Sequence, residues 1–258
     1  MGKVIAVANQ KGGVGKTTTS INVSACLGEK GISTLLIDLD PQGNATSGLG
    51  LNHADATKSI YRAILGRKKI SEVLVDSMFP TLKVIPSTNE LFGAEVELMD
   101  VSPRESLLRN CLQEIRDSFE FIIIDCPPSL GVLTVNALCA SDSVLIPLQC
   151  EYYALEGMAQ IFTTIRKIRE TINPDLEIEG ILLTMQDVRT NLSLEVCENV
   201  REKFGEKVFK TVIPRNVRLS EAPSFGKPII LYDKNSKGAE TYKQLTEEII
   251  NNEKEIIR

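Results

Sequence analysis

The sequence predicts an α/β fold: a mostly parallel twisted sheet with helices on both faces. Three observations predict it. Short runs rich in Val, Ile and Leu alternate with longer helical stretches nearly from end to end. A loop rich in glycine and lysine, Asn9 to Thr18, falls between the first apolar run and the first helical stretch. Two later runs, Leu36-Ile37-Asp38 and Ile122-Ile123-Ile124-Asp125, end in aspartate. Ligands of open α/β sheets sit beyond the carboxyl ends of the strands, so the loop and the aspartates are delivered to one edge.

Taken in order, Lys3–Ala8 reads as a buried strand, Thr17–Lys30 as a helix and Ser33–Asp38 as the next strand. Asn52–Asp100 is poorly patterned, with a short strand at Lys83–Pro86 and room for surface helices that meet a partner. Pro103–Ser118 reads as a helix with proline in its first turn. Phe119–Asp125 is the strongest strand signal, and Ser143–Gln149 is another, followed by a long helix to about Thr171. Ile178–Met185 reads as a strand, Leu192–Phe204 as a helix and Val208–Ile213 as a strand. A last helix starts near Gly238. Helices between parallel strands imply right-handed crossovers. No repeat or Pro/Gly/Ser-rich linker divides the chain, so one domain spanning residues 1–258 is expected.

Composition removes several classes of function. With aromatics at 5% and no Trp, the core must be Val, Ile and Leu, as buried parallel strands require. No apolar run approaches the ~20 residues that cross a bilayer, and no export signal precedes the first strand, so a cytoplasmic protein is expected. Six cysteines without a C-x-x-C pair fit neither a zinc nor an iron–sulfur site and read as small core residues. A lone histidine, His53, excludes a two-histidine metal site and leaves little room for Ser-His-Asp chemistry. The net charge of −5 argues against a wholly basic nucleic-acid binder. Yet Arg189–Lys243 carries eleven Lys/Arg against seven Asp/Glu, which permits a basic face on an acidic protein.

The loop carries the chemistry. In Lys11-Gly12-Gly13-Val14-Gly15-Lys16-Thr17-Thr18 the glycines let backbone N–H groups converge on phosphate oxygens, and the helix start adds its positive end. Lys16 is placed to meet the β- and γ-phosphates of ATP, and the Thr17 hydroxyl to bind Mg²⁺. The general phosphate-loop pattern needs glycine at position 10, where this chain has Gln10. A second lysine, Lys11, stands before the glycines instead, which is the deviant Walker A form of the P-loop NTPase fold. Asp125 reads as the acid that holds Mg²⁺ through water, and Asp38 or Asp40 as the residue that positions the attacking water.

These residues resemble the ParA family of partition ATPases, specifically its chromosomal Soj type. The likeness runs through VANQKGGVGKTTTSINV, LLIDLDPQGNATSGLGL, FIIIDCPPSLG, PLQCEYYALEGM and TVIPRNVRLSEAPSFGKPIILYD. The resemblance implies an ATP-sandwich homodimer in which Lys11 reaches the phosphates held by the partner subunit and Gly12 lies where the subunits approach most closely. It implies that Lys16 is needed for nucleotide binding, that Asp40 supports hydrolysis by orienting or activating water, and that Pro214 and Asn216 meet the adenine end. It further implies binding of double-stranded DNA without sequence preference by the dimer, through Arg189 and Arg218. Slow hydrolysis would be stimulated by a ParB-type protein with a short basic N-terminal segment, and the protein would lie on the nucleoid. A MinD-like membrane-associated ATPase is the alternative. Such proteins end in a basic amphipathic helix, whereas the tail Glu247–Arg258 carries four acids against two basic residues, so no membrane partner is expected.

Overall fold

Alternating side chains of the strands build two cores, one on each face of a single sheet. In the strand β1 (Lys3–Val7), Val4 and Ala6 face one cluster and Ile5 and Val7 the other. The same split holds in β2 (Thr34–Asp38), with Leu35 and Ile37 against Leu36, and in the later strand Phe121–Asp125, with Ile122 and Ile124 against Ile123. Both of those strands are buried at every residue, which only helices on both faces allow. The structure is a computed structural model, and it describes residues 2–51, 57–98, 101–151 and 154–256. His53 lies outside these residues.

The remaining strands are β3 (Val75–Asp76), β4 (Leu82–Ile85), β5 (Phe121–Asp125), β6 (Ser143–Gln149) and β7 (Glu177–Thr184). Their order is β3-β4-β2-β5-β1-β6-β7, parallel throughout except for β3 at the edge. Val7 pairs with Asp125, and Asp125 with Asp38, so the ends of β1, β5 and β2 are level. The helices are α1 (Lys16–Glu29), α2 (Asn44–Gly48), α3 (Ile60–Ile64), α4 (Leu91–Glu97), α5 (Leu107–Leu112), α6 (Val132–Ala140), α7 (Ala154–Thr171), α8 (Asn191–Phe204), α9 (Val217–Glu221), α10 (Ile229–Tyr232) and α11 (Lys237–Ile256). This is the fold expected from the alternation of strands and helices.

Two expected elements are different. Pro103–Ser118 is not one helix: 3-10 turns at Arg104–Ser106 and Arg116–Ser118 flank the short α5. Tertiary groups take the bonds a continuous helix would need. The Asn136 side chain donates to Arg104 O and accepts from Leu108 N, while Arg116 forks onto the Asp142 carboxylate and donates to Gly2 O. Likewise Val208–Ile213 is no strand: isolated bridges, Ile181 to Val208 and Gln186 to Pro214, and the amides of Phe209 and Ile213 donating to Ile181 O and Leu183 O tie it to β7 and the turn that follows. Arg201 donates to the carbonyls of Phe209 and Lys210, and the Glu248 carboxylate accepts the amides of Lys210 and Thr211. Side chains thus take the middle groups that a continuous sheet ladder would use. The poorly patterned 57–98 region packs inward through Ile60, Ile64, Leu91 and Ala94 rather than standing clear of the core.

Candidate functional site

The loop after β1 is held from three sides. Asn9, buried, donates from Nδ2 to Pro147 O at 2.7 Å and accepts the Lys11 amide on Oδ1 at 3.0 Å. The Thr184 hydroxyl, at the end of β7, donates to Val14 O at 2.9 Å. Gly13 and Gly15 take left-handed backbone angles, φ 75° and 90°, which a side chain would strain. Gly15 leads straight into α1, and Lys16 opens it.

Lys16 is buried, with Nζ donating to Lys11 O at 3.2 Å. Burial pushes its ammonium below the ordinary value, against the pull of Asp125 and then Asp40. Gly12, Gly13, Gly15, Lys16, Thr17, Thr18 and Asp40 line one cavity of about 450 Å³. A second cavity of about 340 Å³ shares Gly15, Thr18, Met185 and Pro223 with the first and is lined further by Asn216 and Tyr242. Pro214 lines neither cavity; its place is the backbone bridge to Gln186. Met185, which lines both cavities, is the one non-glycine residue with positive φ (54°) among those described.

The three aspartates divide the work. Asp38 is fully buried, and its carboxylate accepts the Thr46 hydroxyl at 2.6 Å, the Thr46 amide at 2.7 Å and the Asp40 amide at 3.2 Å. It therefore braces the turn into α2, and all three of these bonds are internal to the loop. Asp40 accepts the Gln42 amide on Oδ1 at 2.9 Å and faces the first cavity. Asp125 is also fully buried; Oδ1 lies 2.8 Å from the Ser20 hydroxyl, while Oδ2 has no hydrogen-bond partner. Burial and then the adjacent Asp38 charge push the Asp125 carboxyl well above the usual carboxylate range, and burial raises Asp38 against its Thr46 bonds. Two level buried acids, one with a free oxygen, fit a cation at this spot. Mg²⁺ held by Thr17 and, through water, by Asp125 suits that arrangement.

Lys11 turns away from its own phosphate cavity and pairs with Glu151 at 3.2 Å, both half exposed. Arg189 stands almost free of the surface on the loop after β7, forked onto Asp187 at 2.8 and 2.6 Å. That fork holds the Asp187 carboxyl down at about 2. Arg218, on α9, pairs with Glu221 at 2.9 Å and Asp233 at 3.6 Å. Asn216 caps α9 by accepting the Arg218 amide at 2.8 Å. The 222–226 turn rests on α2 across a close approach of Gly50 and Gly226, where an added Cβ on Gly226 would lie 2.7 Å from Gly50 Cα. The turn that follows the Arg218 helix therefore packs against α2, whose entry Asp38 braces.

A family model described as an AAA domain matches residues 2–178. The sporulation initiation inhibitor protein Soj of Bacillus subtilis is 56% identical over 252 residues, covering 98% of this chain and all of that protein. The chromosome partitioning protein ParA of Myxococcus xanthus is 55% identical over 250 residues, covering 97% of this chain and 88% of that protein. The chain belongs to the Soj/ParA family of chromosome partitioning ATPases. Among solved structures, that of cobyrinic acid a,c-diamide synthase from Mycobacterium smegmatis with bound ATP analogue and magnesium superposes with a TM-score of 0.86 at 37% identity, covering 98% of this chain and 96% of that one.

Asn9, Ser20, Thr46 and Thr184 are site residues that the sequence reading missed. Ser20 was within reach: it lies one turn after Lys16, so both project from one face of α1 toward the strand ends. Asn9 and Thr184 pair across long separations, 138 residues to Pro147 and 170 to Val14, and Thr46 reaches Asp38 only after the intervening turn folds back.

Proposed function

We propose that this protein is an ATP-driven dimerisation switch that carries chromosomes or plasmids to their places by cycling on and off DNA. One observation carries the reading: Lys16, Thr17 and Asp40 line one cavity beside the unpartnered oxygen of Asp125, in a chain 56% identical to Soj. Glycine amides and Lys16 bind the triphosphate, with Lys16, buried and poor in other partners, gaining most from the anion. Mg²⁺, when bound, offsets charge on the phosphate oxygens. Asp40, oriented by the Gln42 amide, holds the attacking water. Adenine enters the second cavity beside Asn216, with Pro214 shaping its rim through the bridge to Gln186.

Lys11 supplies the switch. In the free chain Glu151 holds it; in an ATP dimer it exchanges that carboxylate for phosphates of the partner subunit across the Gly12 approach. Dimerisation then requires ATP and reverses on hydrolysis. Pairing two subunits doubles the arginines offered to double-stranded DNA, so Arg189 and Arg218 bind backbone phosphates strongly only as the dimer and without reading sequence. A ParB-type protein with a basic segment would accelerate the slow turnover, and the dimer would lie on the nucleoid. Light scattering and phosphate release on Asp40→Ala test the mechanism. The variant is expected to dimerise in ATP and scarcely to hydrolyse it; a variant that stays monomeric in ATP contradicts the role given to Asp40.

A further inference from the structure

Two thiols lie beside the segment 184–186, whose Met185 lines both cavities. Cys150 follows β6, and Cys197 lies in α8; they are 5% and 6% exposed. Their sulfurs are 3.1 Å apart across 47 residues of sequence. Each is fastened to the nucleotide-side segment. The Cys150 amide donates to Thr184 O at 3.1 Å, and Gln186 Nε2 donates to Cys197 Sγ at 3.4 Å. Leu148, Met158, Val196 and Val200 pack around the pair, so only a small neutral reagent reaches it. The two sulfurs are unequal. The hydrogen bond with Cys150, then Gln186 and the Arg201 charge, draw the Cys197 thiol below its usual value, while that bond and burial keep Cys150 protonated. A nucleophilic thiolate beside a protonated thiol is what a dithiol redox couple needs.

We propose that Cys150 and Cys197 form a two-electron redox site at which hydrogen peroxide converts the thiol pair into an intramolecular disulfide. The Cys197 thiolate attacks one peroxide oxygen, the O–O bond breaks, and the leaving hydroxide takes a proton to become water. The Cys150 sulfur then displaces the hydroxyl of the sulfenic acid, the S–S bond forms, and the second water leaves with the Cys150 proton. The pair loses two electrons and two protons, and one peroxide becomes two waters. A small dithiol reverses the step by exchange. The bridge ties the end of β6 to α8 and changes the sulfur that accepts from Gln186. It therefore acts on the stretch that walls the nucleotide cavity at Met185 and carries Arg189.

The full-length protein is exposed to graded hydrogen peroxide, unfolded, alkylated and digested, and its peptides are read by mass spectrometry. The expected product is a cross-linked peptide pair holding Cys150 and Cys197, abolished by dithiothreitol and absent from Cys197→Ser. Recovery of both residues as alkylated thiols at peroxide levels that already oxidise the less buried Cys111 overturns the proposal, as does their recovery as separate sulfinic acids.

Discussion

The phosphate end of the molecule and the arginine end are built by different means. Around the phosphates the contacts are buried, and backbone geometry does much of the work: left-handed glycines, level strand ends, and an Asp38 carboxylate that closes three hydrogen bonds at once. Around Arg189 and Arg218 the contacts are exposed ion pairs on short turns, and the neighbouring 208–213 stretch, with an interrupted ladder, is held in part by the Glu248 and Arg201 side chains. Buried polar contacts are costly to break, and exposed ones are nearly free to exchange. The first region therefore suits a fixed catalytic frame. The second suits a surface whose arginines trade Asp187 and Glu221 for other anions.

That contrast orders the predictions. Lys16→Ala should act most strongly, removing a buried cation from the phosphate cavity; calorimetry should show ATP affinity falling by about a hundredfold or more, ~3 kcal/mol. Thr46→Val comes next. It strips Asp38 of a hydrogen bond and leaves the Ser87 amide, 3.0 Å from the Thr46 hydroxyl, without its acceptor, so denaturant unfolding should show a loss of about 2–3 kcal/mol. Glu248→Ala removes two backbone hydrogen bonds at the other end, but water replaces them, and the loss should be about 1 kcal/mol. Equal losses in these two variants would erase the distinction between the regions.

The smallest effect is a titration. Asp187 is depressed to about 2 by Arg189, so the support it lends the native state is present above the ordinary carboxylate value of 3.8 and fades as pH falls through about 2. Carboxyl chemical shifts should show that low midpoint, and Arg189→Ala should raise it toward the ordinary range, the backbone amide of residue 189 still donating to it. An unchanged midpoint in the variant would mean that the fork does not persist in solution.

The same contrast explains what could be read from the sequence. The phosphate loop, Asp38 and Asp125 stood out because glycine spacing and aspartates closing Ile-rich runs are local signals that the sheet merely brings together, whereas the choice of Asp40 over Asp38 came from family resemblance. Arg189 and Arg218 were reached only through family resemblance, since neither sits in a pattern that physics alone would single out. The 208–213 stretch reads as a strand by its Val, Phe and Ile content, yet Glu248 and Arg201, distant in sequence or on another element, claim its backbone. The bracing role of Asp38 likewise rests on Thr46, whose hydroxyl becomes informative only once α2 folds back on β2.

The most direct test of the switch is retention of unrelated duplex DNA sequences by the Asp40→Ala protein at one fixed salt concentration, first with ATP and then with ADP. The account predicts tight retention with ATP alone, equal across sequences. Equal retention with both nucleotides, or none with either, would contradict the coupling of the ATP dimer to DNA.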